Sequence, residues 1–69
     1  MKISARNKLP GTVKSIRRGE AIANVELEVA GQRLVASITV EAVDDLGLSE
    51  GSEVTAVIKA SDVILATEG

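Results

Sequence analysis

The sequence predicts a small all-β domain with one short helix, spanning residues 1–69. Apolar and polar residues alternate in several short segments, which is the period-two pattern of half-buried strands, and glycines separate these segments. The chain has no cysteine, histidine or aromatic residue, so its core depends on aliphatic side chains. Because so small a core rarely gives much stability alone, and 45% of the residues are hydrophobic, we expect the domain to oligomerise and bury apolar faces between subunits.

The N-terminal part is predicted to form two short strands and a turn. Residues 3–9 form the first strand, and Pro10-Gly11 ends it, because proline is confined to the edges or starts of strands. Residues 12–17 form the second strand. Arg18-Gly19-Glu20 then forms a hairpin turn, in which Gly19 supplies a positive φ.

The strongest strand signal lies in the middle of the chain. Residues 21–30 alternate strictly, Gly31-Gln32 is predicted as the next turn, and residues 33–40 form a further strand. The predicted inward-facing residues are Ala23, Val25, Leu27 and Val29 in one strand and Leu34, Ala36 and Ile38 in the next.

The apolar spacing then changes from two to three. Val43 and Leu46 are three residues apart and acids lie around them, so residues 41–46 are predicted to form a short helix that stops at Gly47. Thr39 is most simply the N-cap of this helix.

The chain is predicted to end with two more strands. They cover residues 53–59 and 63–66, and Ala60-Ser61-Asp62 separates them. Five to six short strands, with one helix after the fourth, predict a small OB-like five-stranded barrel that is partly open.

Composition and charge argue against several classes of function. The net charge of −2 and the absence of aromatic rings disfavour nucleic-acid binding. No apolar run approaches the roughly 20 residues that span a membrane, and the N-terminus lacks the pattern of a secretory signal, so we expect a cytoplasmic protein. Without histidine, cysteine or a nucleophile–base pair, we expect neither an enzyme nor direct ligands for a metal cation.

Two clusters of donor side chains lie near the two ends of the chain. Ser4-Ala5-Arg6-Asn7 is followed, far along the sequence, by Lys59-Ala60-Ser61. A small oxyanion has only acceptor oxygens, so hydroxyl, guanidinium, ammonium and amide donors suit it, whereas carboxylates repel it. Ordinary roles explain the same residues: Arg6 and Lys59 could be solvated or paired with acids, and serines are common in turns. Neither cluster alone could surround an anion, so a site would span two subunits.

Short motifs in a fixed order cover nearly the whole chain. They are Ile3-Ser4-Ala5-Arg6-Asn7, Gly11-Thr12-Val13, Gly19, Ser37-Ile38-Thr39, Val43, Leu46-Gly47-Leu48, Gly51 and Ile58-Lys59-Ala60-Ser61-Asp62-Val63. Together they resemble the motifs of the molbindins, small cytoplasmic proteins with a single TOBE/Mop-type domain that binds molybdate and tungstate. The same module occurs in molybdate-responsive transcription regulators and in some transporter ATPase subunits.

The resemblance implies an OB-like hexamer, a trimer of dimers, which holds molybdate or tungstate at subunit interfaces without an organic cofactor. Its role would be intracellular storage, buffering and molybdenum homeostasis. Ser4, Arg6 and Lys59 match positions that hold the anion, and Thr39 matches a hydroxyl supplied by the partner subunit. The predicted oxyanion-binding residues are Ser4, Ala5, Arg6, Asn7, Thr39, Lys59, Ala60 and Ser61.

The resemblance also implies a second class of oxyanion pocket, for which Arg18, Gly19 and Glu20 are the candidate residues; if this hairpin lines it, the carboxylate of Glu20 would disfavour an anion there. Ala42 stands where related sequences often have serine, which removes one hydroxyl donor. The alternative function is a free-standing OB-like interaction module that regulates a molybdate transporter or a transcription regulator. Such a module would stay monomeric or dimeric until its partner is added.

Overall fold

The computed structural model describes residues 2–69 and has a four-stranded antiparallel sheet with the strand order β3-β2-β1-β4. The predicted fold class, mostly β-structure with one short helix, is confirmed. The elements are β1 (Asn7–Arg18), β2 (Ile22–Val29), β3 (Gln32–Thr39), the helix α1 (Val40–Asp45), β4 (Glu53–Ile58) and a 3-10 turn (Ala60–Asp62).

Strand β1 is one continuous strand, so the predicted break at Pro10-Gly11 is wrong. Its first half pairs with β4, from Asn7 opposite Ile58 onwards, and its second half pairs with β2. Pro10 lies in the half that pairs only with β4, so its missing N–H can face an open edge and costs no ladder hydrogen bond.

Gly11 marks the point where β2 approaches β1. A Cβ at this position would lie 2.9 Å from the backbone oxygen of Glu28 and 2.9 Å from Cγ2 of Val29. Pro10 therefore lies where β1 has one open side, and Gly11 lies where β2 comes close to β1. The two strands predicted from the sequence correspond to the two halves of β1.

The β2–β3 hairpin follows the predicted alternation. The inward residues Ala23, Val25 and Leu27 are buried. The turn consists of Ala30 and Gly31, with φ values of 50° and 79°, which suits a two-residue primed turn; it lies one residue earlier than predicted.

Helix α1 has both of the predicted end signals. The Thr39 hydroxyl oxygen accepts a hydrogen bond from the Ala42 N–H at 3.0 Å, so the N-cap is confirmed. Gly47, with φ of 63°, follows the last turn, and the Leu48 N–H donates to the Val43 carbonyl at 3.1 Å, as in a Schellman motif. These caps hold Val43, which is fully buried, in the core.

The predicted strand at residues 63–66 is not formed, because nothing in residues 2–69 pairs with it. After the 3-10 turn the chain leaves the sheet, and Ile64 and Leu65 are 92% and 88% exposed. The described chain therefore has four strands instead of five. No helix within residues 2–69 has the length and apolar character that crossing a membrane requires.

Candidate oxyanion site

The β1–β4 ladder brings the two donor clusters to the same end of the sheet. Asn7 and Ile58 form the last pair of this ladder, so Arg6 and Lys59 are the next residues outward on the two strands. Ser4 and Ser61 lie further out on the same two segments. Residues that are far apart in the sequence thus become neighbours because two antiparallel strands end together.

The donors of these clusters face solvent and have no acidic partner. Ser4, Arg6, Lys59 and Ser61 are exposed. The three ion pairs found within residues 2–69 use other cations, namely Lys14, Arg18 and Arg33. The alternative that Arg6 pairs with a carboxylate of a neighbouring strand is therefore not observed in the described chain. Both positive charges remain available to an anion.

Ala5 and Asn7 have supporting positions. Ala5 is only 8% exposed, and its side chain has no polar atom, so only its backbone N–H could serve a ligand. The Asn7 amide nitrogen donates to the Ile58 carbonyl at 3.2 Å. One of the two amide hydrogens of Asn7 therefore ties β1 to β4, and the other remains for a ligand.

The second cluster lies on a tight turn. The Asp62 N–H donates to the Lys59 carbonyl at 2.9 Å, and the Val63 N–H donates to the Ala60 carbonyl at 3.2 Å. These two bonds fix the backbone of Ala60 and Ser61 at the end of β4. Lys59 itself is still in an extended conformation, with φ of −64° and ψ of 135°.

Thr39 lies at the opposite end of the sheet from the two clusters. It pairs with Ile22, next to the end of β1 at Arg18, whereas the clusters lie beyond Asn7. At about 3.3 Å per residue, these two ends of β1 are roughly 35 Å apart along the strand. Thr39 could therefore meet Arg6 and Lys59 only from a second copy of the chain. Its hydroxyl oxygen caps α1, but its hydroxyl hydrogen can still be donated.

The hairpin residues of the second candidate pocket lie in acidic surroundings. A guanidinium nitrogen of Arg18 lies 3.0 Å from a carboxylate oxygen of Asp44, so its charge is already engaged. A neighbouring open cavity of about 640 Å³ is lined by four acidic residues, Glu20, Glu41, Asp44 and Asp45, and also by Thr39. This electrostatic environment disfavours an anion at Arg18, Gly19 and Glu20.

The Arg18–Asp44 pair was not anticipated from the sequence. A second unanticipated polar group lies on the outer face of the sheet, where Ser15, Arg17, Asn24 and Arg33 line a small cavity of about 130 Å³. The alternation of the strands places these residues outward, which is the signal that could have found them. Arg33 is paired with Glu26 there, so Arg17 is the cation of this group without a carboxylate partner among the described residues.

Residues 3–65 of the chain match the family model of the TOBE domain. This chain belongs to the TOBE domain family. The match includes both donor clusters.

Relatives of this TOBE domain have names that refer to molybdenum. It is 48% identical over 66 residues to molybdenum-pterin-binding protein 3 of Clostridium pasteurianum, which covers 94% of this chain and 97% of the relative. A solved molybdate-binding protein from Sporomusa ovata superposes with a TM-score of 0.93 and 45% identity, over 97% of this chain and all of the other. The OB-like fold class predicted from the sequence is confirmed.

A third similar protein is more than twice as long as the region that superposes on this chain. The cytoplasmic molybdate-binding protein ModG, solved with molybdate bound, superposes on the TOBE domain with a TM-score of 0.84 and 44% identity. The superposition covers 87% of this chain but only 43% of ModG. The TOBE domain described here therefore corresponds to less than half of ModG.

Proposed function

We propose that this protein binds molybdate, and tungstate by the same chemistry, at the end of the β1–β4 ladder. The observation that carries the proposal is the meeting of two donor clusters at that ladder end, where neither Arg6 nor Lys59 forms a salt bridge within residues 2–69. The names of the similar proteins support molybdenum as the element.

The chemistry of the donors fits a tetrahedral dianion. Arg6 offers a planar fork of N–H groups and Lys59 a compact charge, while Ser4 and Ser61 add hydroxyl donors. Hydrogen bonds from charged donors are roughly twice as strong as neutral ones, so these two cations dominate the affinity. Sulfate has the same charge and shape, and the larger molybdate would be selected by the size of the cavity.

The site needs a second copy of the chain to become closed. Its donors lie on one exposed end of the sheet, and the one further predicted donor, Thr39, lies at the other end. A partner that places its Thr39 against Arg6 and Lys59 would surround the anion. We propose the hexamer, a trimer of dimers, as the assembly that does this, with the anion held at subunit interfaces.

The ligand is proposed to be the free oxyanion without an organic cofactor. Pterin rings are flat and conjugated, and flat π-systems pack favourably against aromatic side chains in offset stacks. This chain has no aromatic residue, and the donors at the ladder end are hydroxyl, amide and cationic side chains. The proposed role is reversible storage and buffering of molybdate in the cytoplasm, with release by mass action and no catalysis.

Native mass spectrometry of the purified protein with molybdate and an excess of sulfate tests the proposal. We expect a hexamer that gains several molybdates, whose adduct mass identifies a bare oxyanion, and that ignores sulfate. A small oligomer without any anion adduct would contradict the storage role. That result would favour the alternative of an interaction module for a transporter or a regulator.

A further inference from the structure

The outer face of the sheet carries a small polar cavity of about 130 Å³, which we refer to as the outer-face pocket. It is lined by residues of three strands, namely Ser15 and Arg17 of β1, Asn24 and Glu26 of β2, and Arg33 and Val35 of β3. The pocket lies towards the end of β1 that is distant from the two donor clusters. It is therefore separate from the proposed oxyanion site.

A β-bulge in β1 turns Ser15 and Arg17 to the outer face. The register of β1 against β2 shifts by one residue between Val13 and Ser15. Val13 is buried, so with strict alternation Ser15 and Arg17 would also point into the core. Because of the shift, Ile16 packs against the core instead, and Ser15 and Arg17 are exposed. Bulges commonly re-aim side chains in this way and are frequent beside functional sites.

The hydrogen bond between Ser37 and Asn24 leaves the amide hydrogens of Asn24 free. Asn24 lies on β2 between Arg17 on β1 and Ser37 on β3. The Ser37 hydroxyl donates to the side-chain oxygen of Asn24, so the amide nitrogen on the other branch is directed away from Ser37. Within residues 2–69 this nitrogen donates no hydrogen bond. Asn24 therefore offers two N–H donors to the outer-face pocket.

The charges in the pocket leave one cation uncompensated. The Nε atom of Arg33 lies 2.8 Å from a carboxylate oxygen of Glu26, so these two charges balance. Arg17 is exposed and forms no salt bridge within residues 2–69. The remaining donors, on Asn24 and Ser15, are neutral. A singly charged anion matches this arrangement, whereas the ladder end, with its two free cations, is the better match for a dianion.

We propose that the outer-face pocket binds a single carboxylate group carried on a short aliphatic chain. The planar fork of N–H groups of Arg17 matches the two oxygens of a carboxylate, and Asn24 and Ser15 add neutral donors. Val35, which is 45% exposed in the same pocket, supplies an apolar contact for the chain. A water molecule takes up about 30 Å³ of the liquid, so a cavity of 130 Å³ has room for about four waters or one small carboxylate.

The pairing of the strands distinguishes this pocket from a lone surface arginine. A single exposed arginine holds a carboxylate only weakly, because water screens the pair. Here Arg17 and Asn24 are opposite residues of paired strands, so their Cβ atoms lie about 5 Å apart and a carboxylate between them contacts both donors at once. We therefore expect saturable binding with a dissociation constant in the millimolar range. The same group occurs in free small carboxylic acids and in the glutamate side chains of proteins.

Propionate, a carboxylate on a short aliphatic chain, is the probe that tests the pocket. NMR spectra of the amide groups of the isotope-labelled full chain are recorded while propionate replaces chloride at constant ionic strength, without molybdate. We expect saturable shifts of the Asn24 side-chain amide signals, and none with propionamide, which has nearly the same shape but no charge. The carboxylate site is refuted if propionate causes no saturable shift, or if propionamide causes the same one.

Substitutions at Arg17 and Asn24 assign the binding to this pocket, and both residues are exposed, so the variants should fold. Arg17→Lys keeps the charge but loses the planar fork, so propionate should bind at least about tenfold more weakly. Asn24→Asp keeps an acceptor for the Ser37 hydroxyl but replaces the amide donors with a carboxylate, so saturable binding should be lost. The backbone amide signals of β2 report on both variants. An unchanged affinity in either variant would overturn the assignment.

A blocked tripeptide with a central glutamate distinguishes the two sources of the carboxylate. Its glutamine counterpart is the control and should not bind. If the glutamate peptide binds more tightly than propionate, the natural ligand is an acidic side chain of a protein. If it binds more weakly than propionate, the pocket serves a free small carboxylate. Both results require the carboxylate site, and they differ only in what carries the group.

Arg6→Ala is the matched control, and it separates this inference from the proposed function. Arg6 is also an exposed arginine without a salt bridge in the described chain, but it lies beyond the opposite end of β1. Arg6→Ala should bind propionate like wild type, whereas Arg17→Ala should lose propionate and keep molybdate. Propionate binding without any molybdate binding would remove the proposed oxyanion and leave the carboxylate site standing. Propionate binding that is lost in Arg6→Ala and kept in Arg17→Ala would overturn the outer-face pocket.

Discussion

Arg6 and Lys59 owe their neighbouring positions to Asn7 and Ile58, which close the β1–β4 ladder just inside them. The Asn7 amide reinforces that closure by donating to the Ile58 carbonyl. Buried Ala5 holds the N-terminal segment on the other side of Arg6. The uncharged residues Asn7, Ile58 and Ala5 thus determine where Arg6 and Lys59 lie. Arg6 and Lys59 themselves need not form contacts that stabilise the fold.

Replacing Arg6 with alanine should weaken molybdate binding by at least about tenfold and leave folding unchanged. Each hydrogen bond to a charged group contributes about 1.5–3 kcal/mol, and about 1.4 kcal/mol corresponds to a factor of ten in affinity. Arg6 is exposed and has no acidic partner in the described chain, so its removal leaves no buried group unpaired. Isothermal titration calorimetry measures the change.

Arg17→Ala is the matched control for this experiment. Arg17 is likewise an exposed arginine without a carboxylate partner in residues 2–69, but it lies near the other end of β1. The control should bind molybdate like wild type. If Arg6→Ala also binds normally, the assignment of the site to the ladder end is wrong.

Single residues also explain where sequence reasoning failed in β1. Proline and glycine usually interrupt strands, and here they occur in the middle of the longest one. Whether Pro10 costs a hydrogen bond depends on which side of β1 is paired at that point, and Gly11 is needed because β2 crosses closely. Both facts belong to tertiary structure, so local sequence could not have distinguished this arrangement from a break.

At the scale of elements, α1 connects the fold to the proposed site through its N-cap. Thr39 ends β3, starts α1 and is the hydroxyl donor expected from a partner subunit. Its oxygen is an acceptor for the Ala42 N–H, whereas a ligand would use its hydrogen. These two roles can therefore be separated by substitution.

Thr39→Asp should keep the stability of the protein but lower its affinity for molybdate by about tenfold or more. Aspartate is among the best N-caps, so α1 keeps its first hydrogen bond, but a carboxylate would repel a dianion at the interface. Thr39→Ser should retain both properties, and Thr39→Ala should cost about 1 kcal/mol of unfolding free energy. Chemical denaturation measures the free energy of unfolding, and calorimetry measures the affinity for molybdate. Normal molybdate binding by Thr39→Asp would exclude Thr39 from the site.

The elements differ in how well the sequence predicted them. Strand β2 and helix α1 came within a residue or two of their predicted ends, because a period of two and a pair of helix caps are local signals. The segment at residues 63–66 has an equally local apolar pattern but no partner within the chain. For the site, the donors were visible as two clusters, whereas the Arg18–Asp44 pair depends on the packing of α1 beside the hairpin.

At the scale of the whole molecule, the fully buried core is very small. Among residues 2–69, its buried cluster consists of Val13, Ala23, Val25, Leu27 and Val43. A core of this size supplies little stability alone, so assembly and ligand binding should contribute a large share. A bound anion at an interface stabilises the folded assembly by mass action.

Molybdate should therefore raise the melting temperature of the protein in a concentration-dependent way. At a free concentration of about 100 times Kd, one site adds about 2.7 kcal/mol, which is large for a domain of this size. Differential scanning calorimetry measures the shift. Equal concentrations of sulfate should leave the melting temperature unchanged, and the shift should be much smaller in Arg6→Ala. An identical shift with sulfate would indicate a general salt effect instead of a selective site.

The ladder-end geometry also has a dynamic consequence. Asn7 and Ile58 are 51 positions apart in the sequence. An anion bound by both Arg6 and Lys59 would therefore link two segments that are distant in the sequence. Terminal segments fray at a much lower free-energy cost than a core opens. Fraying of either end would separate the two cations and release the anion while the rest of the sheet stays folded. Retention of the ligand thus depends on how firmly the chain ends are held down.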